Sequence, residues 1–294
     1  MRLASFTVDG RRRAGAVDEA AAAVAVLPER LGTVDDLVRG GPAALDAARA
    51  AADGAPVLPL TAVRLESPLQ RFNRDILCTG WNYWDHFEES RGKRGHEDPD
   101  RPIRPTFFTK GPDTVIGPGD DIAYDAALST QWDYEAEIAL VIGRDGRSIP
   151  ESEALQHVLG YLVANDVSQR DLQRAHGGQW LKGKSIDATM PLGPWLTTAD
   201  EVPDPGALHV QCEVNGVLLQ NASSAQMAFP VARLIAELSR GMTLRAGDVL
   251  LTGTPSGIGS ARDPQIFLDD GDLVVTRVAG LGELRNRVAA TALV

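Results

Sequence analysis

Gln131-Trp132-Asp133-Tyr134-Glu135-Ala136-Glu137-Ile138-Ala139-Leu140-Val141-Ile142 is the stretch whose reading decides the fold. With the two-residue period of a strand, one face carries Trp132, Tyr134, Ala136, Ile138, Leu140 and Ile142. The other face begins Asp133, Glu135, Glu137 and turns apolar at Ala139 and Val141. The carboxylates therefore stand at one end of a strand that is otherwise buried on both sides. Like charges at i and i+2 on one face repel, and a cation would remove that cost. Carboxylate oxygens favour a hard ion, Mg²⁺, Mn²⁺ or Ca²⁺. The alternative is a solvated acidic strand end without an ion, and this segment alone leaves both open.

Outward from this strand, short apolar runs alternate with Gly- and Pro-rich turns. Arg74 to Thr79, Gly160 to Ala164, Val249 to Thr252 and Leu273 to Val278 read as strands. His209 to Leu219 reads as a hairpin turning at Asn215-Gly216. Helices are expected at Pro150 to Leu159 and at Pro230 to Ser239, the second stopped by Gly241. Strands outnumber helices and do not alternate strictly with them, which indicates an α+β fold rather than a doubly wound sheet. Residues 1–70 are Ala-rich and read as a small N-terminal α/β domain. It holds a strand ending at Asp9-Gly10 and a helix opened by Pro42 and stopped by Gly54. Residues 71–294 form the expected catalytic domain.

The 294 residues are ample for a buried core, with 44% hydrophobic and 23% charged residues. A formal net charge of -11 disfavours nucleic acid and anionic membranes as partners. It also repels an acidic metabolite, so a site for one must supply its own cationic groups. Cys78 and Cys212 show neither metal spacing nor a disulfide framework, which fits a reducing cytoplasm. No signal-like or membrane-spanning apolar run is found.

Further chemistry is scattered along the chain. The apolar strand Gly160 to Asn165 ends in Asp166. Were the following run helical, Asp166, Arg170 and Gln173 would share one face, able to bind a metal and a carboxylate; a capping Asp paired with Arg170 is the ordinary alternative. Glu89 lies three residues after His86, so one helical turn would orient the imidazole as a general base. Lys184, beside small residues and Pro191, can be held against an oxyanion. The turn Gly253-Thr254-Pro255-Ser256-Gly257-Ile258-Gly259 lacks a P-loop Lys and the dinucleotide spacing, and reads as a turn whose amides or Thr254 hydroxyl contact an anion. Residues 88–105 read as a charged loop. His96, His157, His176 and His209 show no ligand spacing and read as structural or surface residues.

These stretches together resemble the fumarylacetoacetate hydrolase family over about residues 70–290. The resemblance rests on Gly80-Trp81-Asn82-Tyr83 through His86, Thr106-Phe107-Phe108-Thr109-Lys110, Asp133-Tyr134-Glu135-Ala136-Glu137, and Asn165-Asp166-Val167-Ser168 with Arg170-Asp171 and Gln173. Gly183-Lys184-Ser185, Pro191-Leu192-Gly193-Pro194-Trp195, Gly247-Asp248-Val249 and Thr252-Gly253-Thr254-Pro255 extend it. It implies a mixed β-sandwich roll with peripheral helices, usually a homodimer. It implies Mg²⁺, or Mn²⁺ or Ca²⁺, on Glu135, Glu137 and Asp166, and a His86–Glu89 base dyad. Lys184, with Arg170 and Gln173, would bind substrate or its developing oxyanion; Lys110 and Thr254 are further substrate-contact candidates. The segment after His86 would form a lid. Gln169, where a small residue is common, and the long charged segment Arg91 to Arg104 depart from the family pattern and bear on the substrate.

The expected reaction is hydrolysis of a carbon–carbon bond in an acylpyruvate- or fumarylpyruvate-like 1,3-dioxo acid. The alternative at the same site is isomerisation or tautomerisation of a 2-oxo diacid of the 2-hydroxyhepta-2,4-diene-1,7-dioate or oxaloacetate type, or decarboxylation. A non-catalytic metabolite-binding protein is the rival from another class.

Overall fold

The computed structural model describes residues 1–92 and 100–293. The central strand is Ala136–Ile142, and its seven residues are all buried. It lies in a long mixed sheet between Val158–Asn165 and Val249–Leu251, followed by Ile76–Gly80 and Thr106–Lys110. On the other side the sheet continues through Met190–Thr198 to Arg2–Val8, Arg11–Asp18, Ala23–Val26 and Val57–Pro59.

A second sheet of five strands runs Val217–Ser223, His209–Val214, Leu273–Val278, Gly282–Ala290, Ile122–Tyr124. The main core fills the space between the sheets. Ile138, Leu140, Tyr161 and Val163 from the long sheet meet Val210, Cys212, Val274 and Leu284 from the short one. The opposite face of the long sheet presents Ala139, Val141, Leu162 and Ala164 to Leu37, Val38, Leu45 and Ala48 of the helix Val34–Ala52. The strand is apolar on both sides because each side meets a different layer. The fold is α+β, as the uneven strand and helix content indicates.

Two details depart from what the residue pattern indicates. A first helical segment, not expected from the residue pattern, starts at Val34, where Thr33 and Asp36 form a capping box. Gly41, at φ 62° and ψ -153°, is non-helical and separates this segment from a second one that opens at Pro42, as expected. The run expected as a helix from Pro150 to Leu159 is a 3₁₀ segment, Glu151–His157, and Val158 and Leu159 already belong to the strand Val158–Asn165. Residues 1–70 add strands to the long sheet, with Arg2 and Leu3 opposite Thr197 and Leu196. Among the described residues, no helix is long and apolar enough to cross a membrane.

Candidate active site

Strand register brings the carboxylates together. Ala136 lies opposite Asn165 and Glu137 opposite Ala164. Just beyond the paired ends, the Asp166 amide donates to the Glu135 carbonyl at 2.9 Å, and the Glu135 amide donates to Asn165 Oδ1 at 2.9 Å. Glu135, Glu137 and Asp166 thus present carboxylate oxygens within 4.8 Å of one another, and all three residues are buried. Asp133 faces elsewhere because the strand is interrupted at Tyr134 and Glu135, leaving Trp132–Asp133 as a separate short strand.

Three buried cations converge on this cluster. Lys184 Nζ donates to Glu135 Oε2 at 2.6 Å and to Asp166 Oδ2 at 2.8 Å. Lys110 Nζ lies 2.9 Å from Asp166 Oδ1 and donates to the Val167 carbonyl at 2.8 Å. Arg170 donates to Glu135 Oε1 at 2.5 Å, Asp133 Oδ2 at 2.8 Å and Gln173 Oε1 at 3.1 Å. Burial opposes ionisation of Glu135, but Lys184 and Arg170 outweigh it and hold its carboxyl down to about 2. Burial lowers the Lys184 pKa, and the charges of Asp166 and Glu135 more than restore it, leaving it raised. Burial prevails at Lys110, whose pKa is lowered.

Glu137 is different. Among the described residues its carboxylate has no cationic side-chain partner; it accepts the Gly253 amide at 2.6 Å. Burial, then the charges of Asp166 and Glu135, push its carboxyl well above the ordinary range. Three converging carboxylates with one uncompensated charge and an all-oxygen donor set fit a hard divalent ion.

One glycine-rich turn fixes several of these groups. Besides Gly253 on Glu137, the Gly257 amide donates to Glu89 Oε2 at 2.7 Å. The Gly259 amide donates to Asp133 Oδ1 at 2.7 Å. A side chain at Gly259 would bring its Cβ within 1.8 Å of the Ile266 carbonyl oxygen, so only glycine fits. Thr254 lines a small cavity beside this turn, and its hydroxyl is held by the protein. Its Oγ1 donates to the Ala136 carbonyl at 2.9 Å and accepts from Gln220 Nε2 at 2.8 Å.

His86 lies on the short helix Trp84–Glu89, and its Nδ1 is 2.8 Å from Glu89 Oε1. His86, Glu135, Glu137, Arg170, Gln173 and Lys184 line one small cavity of about 30 Å³. A wider mouth of about 240 Å³ adjoins it, sharing His86, Arg170, Gln173, Trp81 and Trp180 and adding Arg174 and Ser260. Lys110 lines neither cavity. A larger groove, about 730 Å³, shares no residue with either.

Asp166, Arg170 and Gln173 do not share a helix face. Ser168–Gln169 pairs as a strand with Trp132–Asp133, so the helix Arg170–Ala175 begins only at Arg170. The three still meet, through Glu135 and Lys184. His157 is buried with Nδ1 2.9 Å from the Arg144 carbonyl, and His176 and His209 are exposed. His96 and the middle of the charged 88–105 stretch lie outside the described residues; Glu88 and Glu89 belong to the helix Trp84–Glu89.

The sequence reading gave no role to Asp133 as the anchor of Arg170. Nor did it single out the aromatic wall of Trp81 and Trp180, whose ring centroids are 4.9 Å apart. Trp81 adopts φ 56°, a strained setting for a bulky residue, and nothing in the residue pattern announces it.

The turn carrying Lys184 rests directly on the helix carrying Arg170. A Cβ at Gly183 would meet the Gln173 amide nitrogen at 2.2 Å and its Cα at 2.4 Å. Backbone cannot yield as a side chain can, so Gly183→Ala must push the two segments apart. We expect turnover at saturating substrate to fall roughly a hundredfold, with a smaller loss in thermal melting. Unchanged turnover would show that this contact does not set the site geometry.

The fumarylacetoacetate hydrolase C-terminal family model matches residues 75–289. Oxaloacetate tautomerase YisK of Bacillus subtilis (strain 168) is 40% identical over 235 residues, covering 80% of this chain and 76% of the relative. The solved fumarylacetoacetate hydrolase of Exiguobacterium antarcticum superposes with a TM-score of 0.85 at 37% identity, covering 99% of this chain and all of that one. Maleylpyruvate hydrolase of Sphingobium sp. SYK-6, solved with manganese(II) and pyruvate, gives 0.81 at 29% identity over 99% of both chains.

Proposed function

The chain belongs to the fumarylacetoacetate hydrolase family, and we propose that it is a metal-dependent tautomerase of a 2-oxo dicarboxylic acid of the oxaloacetate type. This reverses the order suggested by sequence alone, where carbon–carbon hydrolysis came first and tautomerisation second. The similarity to an oxaloacetate tautomerase over 80% of this chain supports the change.

The observation that carries the reading is one oriented imidazole facing a small cavity walled by acidic and cationic groups. With Nδ1 turned to the Glu89 carboxylate, the ring proton sits on Nδ1 and Nε2 is the free base. In the enol-to-keto direction the C2 hydroxyl loses its proton, C3 gains one, and the C2=C3 double bond becomes C2=O. His86 Nε2 moves that proton, and Glu89 stabilises the transient imidazolium. Arg170 and Gln173 orient the acid's carboxylate, and Lys184 steadies charge on the oxygen at C2. Glu135, Glu137 and Asp166 would hold Mg²⁺ or Mn²⁺, which when bound offsets the negative charge of the 2-oxo acid group.

His86→Gln is expected to lower kcat for ketonisation of enol oxaloacetate by roughly 10²- to 10⁴-fold, followed by ultraviolet absorbance in Mg²⁺ or Mn²⁺. A wild-type rate no faster than buffer would sink the tautomerase reading. The likeness to maleylpyruvate hydrolase supports hydrolysis as the second reading, with the same His86 taking a proton from water. Release of two acids from an acylpyruvate would favour it.

A further inference from the structure

We infer that Arg174 reads the second carboxylate of the substrate, making this site selective for 2-oxo diacids over 2-oxo monoacids. The inference rests on the proposed tautomerase reading and assigns a specificity-determining residue to that site. The helix Arg170–Ala175 carries two arginines four residues apart, which places them on one helical face about 6 Å apart along the axis. Both line the mouth cavity with His86 and Gln173.

Their surroundings differ sharply. Arg170 is buried and donates to Asp133, Glu135 and Gln173. Arg174 is exposed, and among the described residues its side chain has one long contact, 3.5 Å from Nη1 to Gln131 Oε1, and no carboxylate partner. Partial desolvation and then the neighbouring charge of Arg170 lower its pKa, outweighing the charges of Asp133 and Asp171.

The rest of the mouth contributes Trp81, Trp180, Ile258, Ala261 and the hydroxyls of Ser90 and Ser260. Among the described residues lining the mouth, Arg174 is the one cationic side chain besides Arg170 and His86. A planar guanidinium there suits bidentate capture of a distal carboxylate. In a chain of formal net charge -11, an arginine at the entrance without a carboxylate ion-pair partner among the described residues also offers local attraction against a repelling surface.

The test compares substrates that differ only in the distal charge: enol oxaloacetate and its 4-methyl monoester, in saturating Mg²⁺. For Arg174→Gln we expect KM for the diacid to rise about tenfold with kcat little changed, because the group is solvent-facing and the step occurs elsewhere. KM for the monoester should stay within twofold, and Arg174→Lys should recover part of the loss. A parallel loss on both substrates, or none on either, overturns the inference.

Calorimetric titration with malate and its 4-methyl ester gives the readout that does not depend on turnover. Wild type should prefer malate and Arg174→Gln should lose that preference; a preference kept by the variant, or absent in wild type, counts against Arg174. Loss of the preference alongside a wild type inert toward enol oxaloacetate would instead overturn the tautomerase reading and leave the carboxylate assignment standing.

Discussion

Glu137→Gln is expected to make the metal-free protein more stable and the enzyme nearly inactive. The glutamine oxygen can still accept the Gly253 amide, so the local geometry is kept. What disappears is the buried charge without a cationic partner. A carboxyl whose folded pKa lies above its unfolded value favours folding fully at low pH, below the unfolded pKa, and that contribution is lost as pH rises through the folded value. Glu137 is raised in this way, so the metal-free wild type should lose stability toward neutral and alkaline pH. The variant should be flatter over the same window and melt a few degrees higher at pH 8.

Added Mg²⁺ or Mn²⁺ should reverse the ranking. Wild type should gain stability from the ion, more so as pH rises and the proton competes less, whereas the variant should gain little. Turnover should fall roughly a thousandfold, several kcal/mol of charge stabilisation being lost with the ion. Melting curves from pH 6 to 9 with and without metal, together with rates, provide the check. A variant that keeps metal-stimulated turnover within tenfold of wild type would remove Glu137 from the ligand set.

Lys184→Met should act in the opposite sense on stability. The methionine fits the volume, but Glu135 and Asp166 lose the ammonium they share at 2.6 and 2.8 Å. Breaking a buried ion pair from one side costs about 3–5 kcal/mol, because the remaining charges stay buried. Arg170 and Lys110 still hold one oxygen of each carboxylate, which places the expected loss near the lower end. Saturating Mg²⁺ should return part of it by supplying positive charge to the same oxygens. Urea unfolding with and without the ion tests this, and equal stability of variant and wild type would mean that Lys184 is not a structural counter-charge.

The two-sided burial of Ile138 to Ile142 was legible because strand period is a local property and both of its faces are apolar. The carboxylates at its end were legible for the same reason. Their meeting with Asp166 was legible only through the family resemblance, since it depends on Ala136 facing Asn165 across a sheet pairing that no local pattern encodes. The convergence of Lys110, Arg170 and Lys184 on one cluster is likewise tertiary. His86 and Glu89 could be paired from sequence because one helical turn suffices.

Where local signals misled, a stronger partner prevailed. Glu151 to His157 is rich in helix formers, yet the buried sheet takes Val158 and Leu159 and leaves room only for a tight 3₁₀ run. Thr33 and Asp36 cap a first helical segment that the break at Gly41 separates from the one opening at Pro42.

The amides of Gly253, Gly257 and Gly259 hold, in turn, a metal-ligand candidate, the partner of the candidate base, and the anchor of a substrate-facing arginine. Seven consecutive residues thus act as a common mount for three functions drawn from separate parts of the chain. Alignment of the base and shape of the cation pocket are therefore not independently adjustable. A change that tilts this mount moves both together, so the route open to altered selectivity runs through the mouth, at Arg174, which has no hydrogen bond to the mount among the described residues.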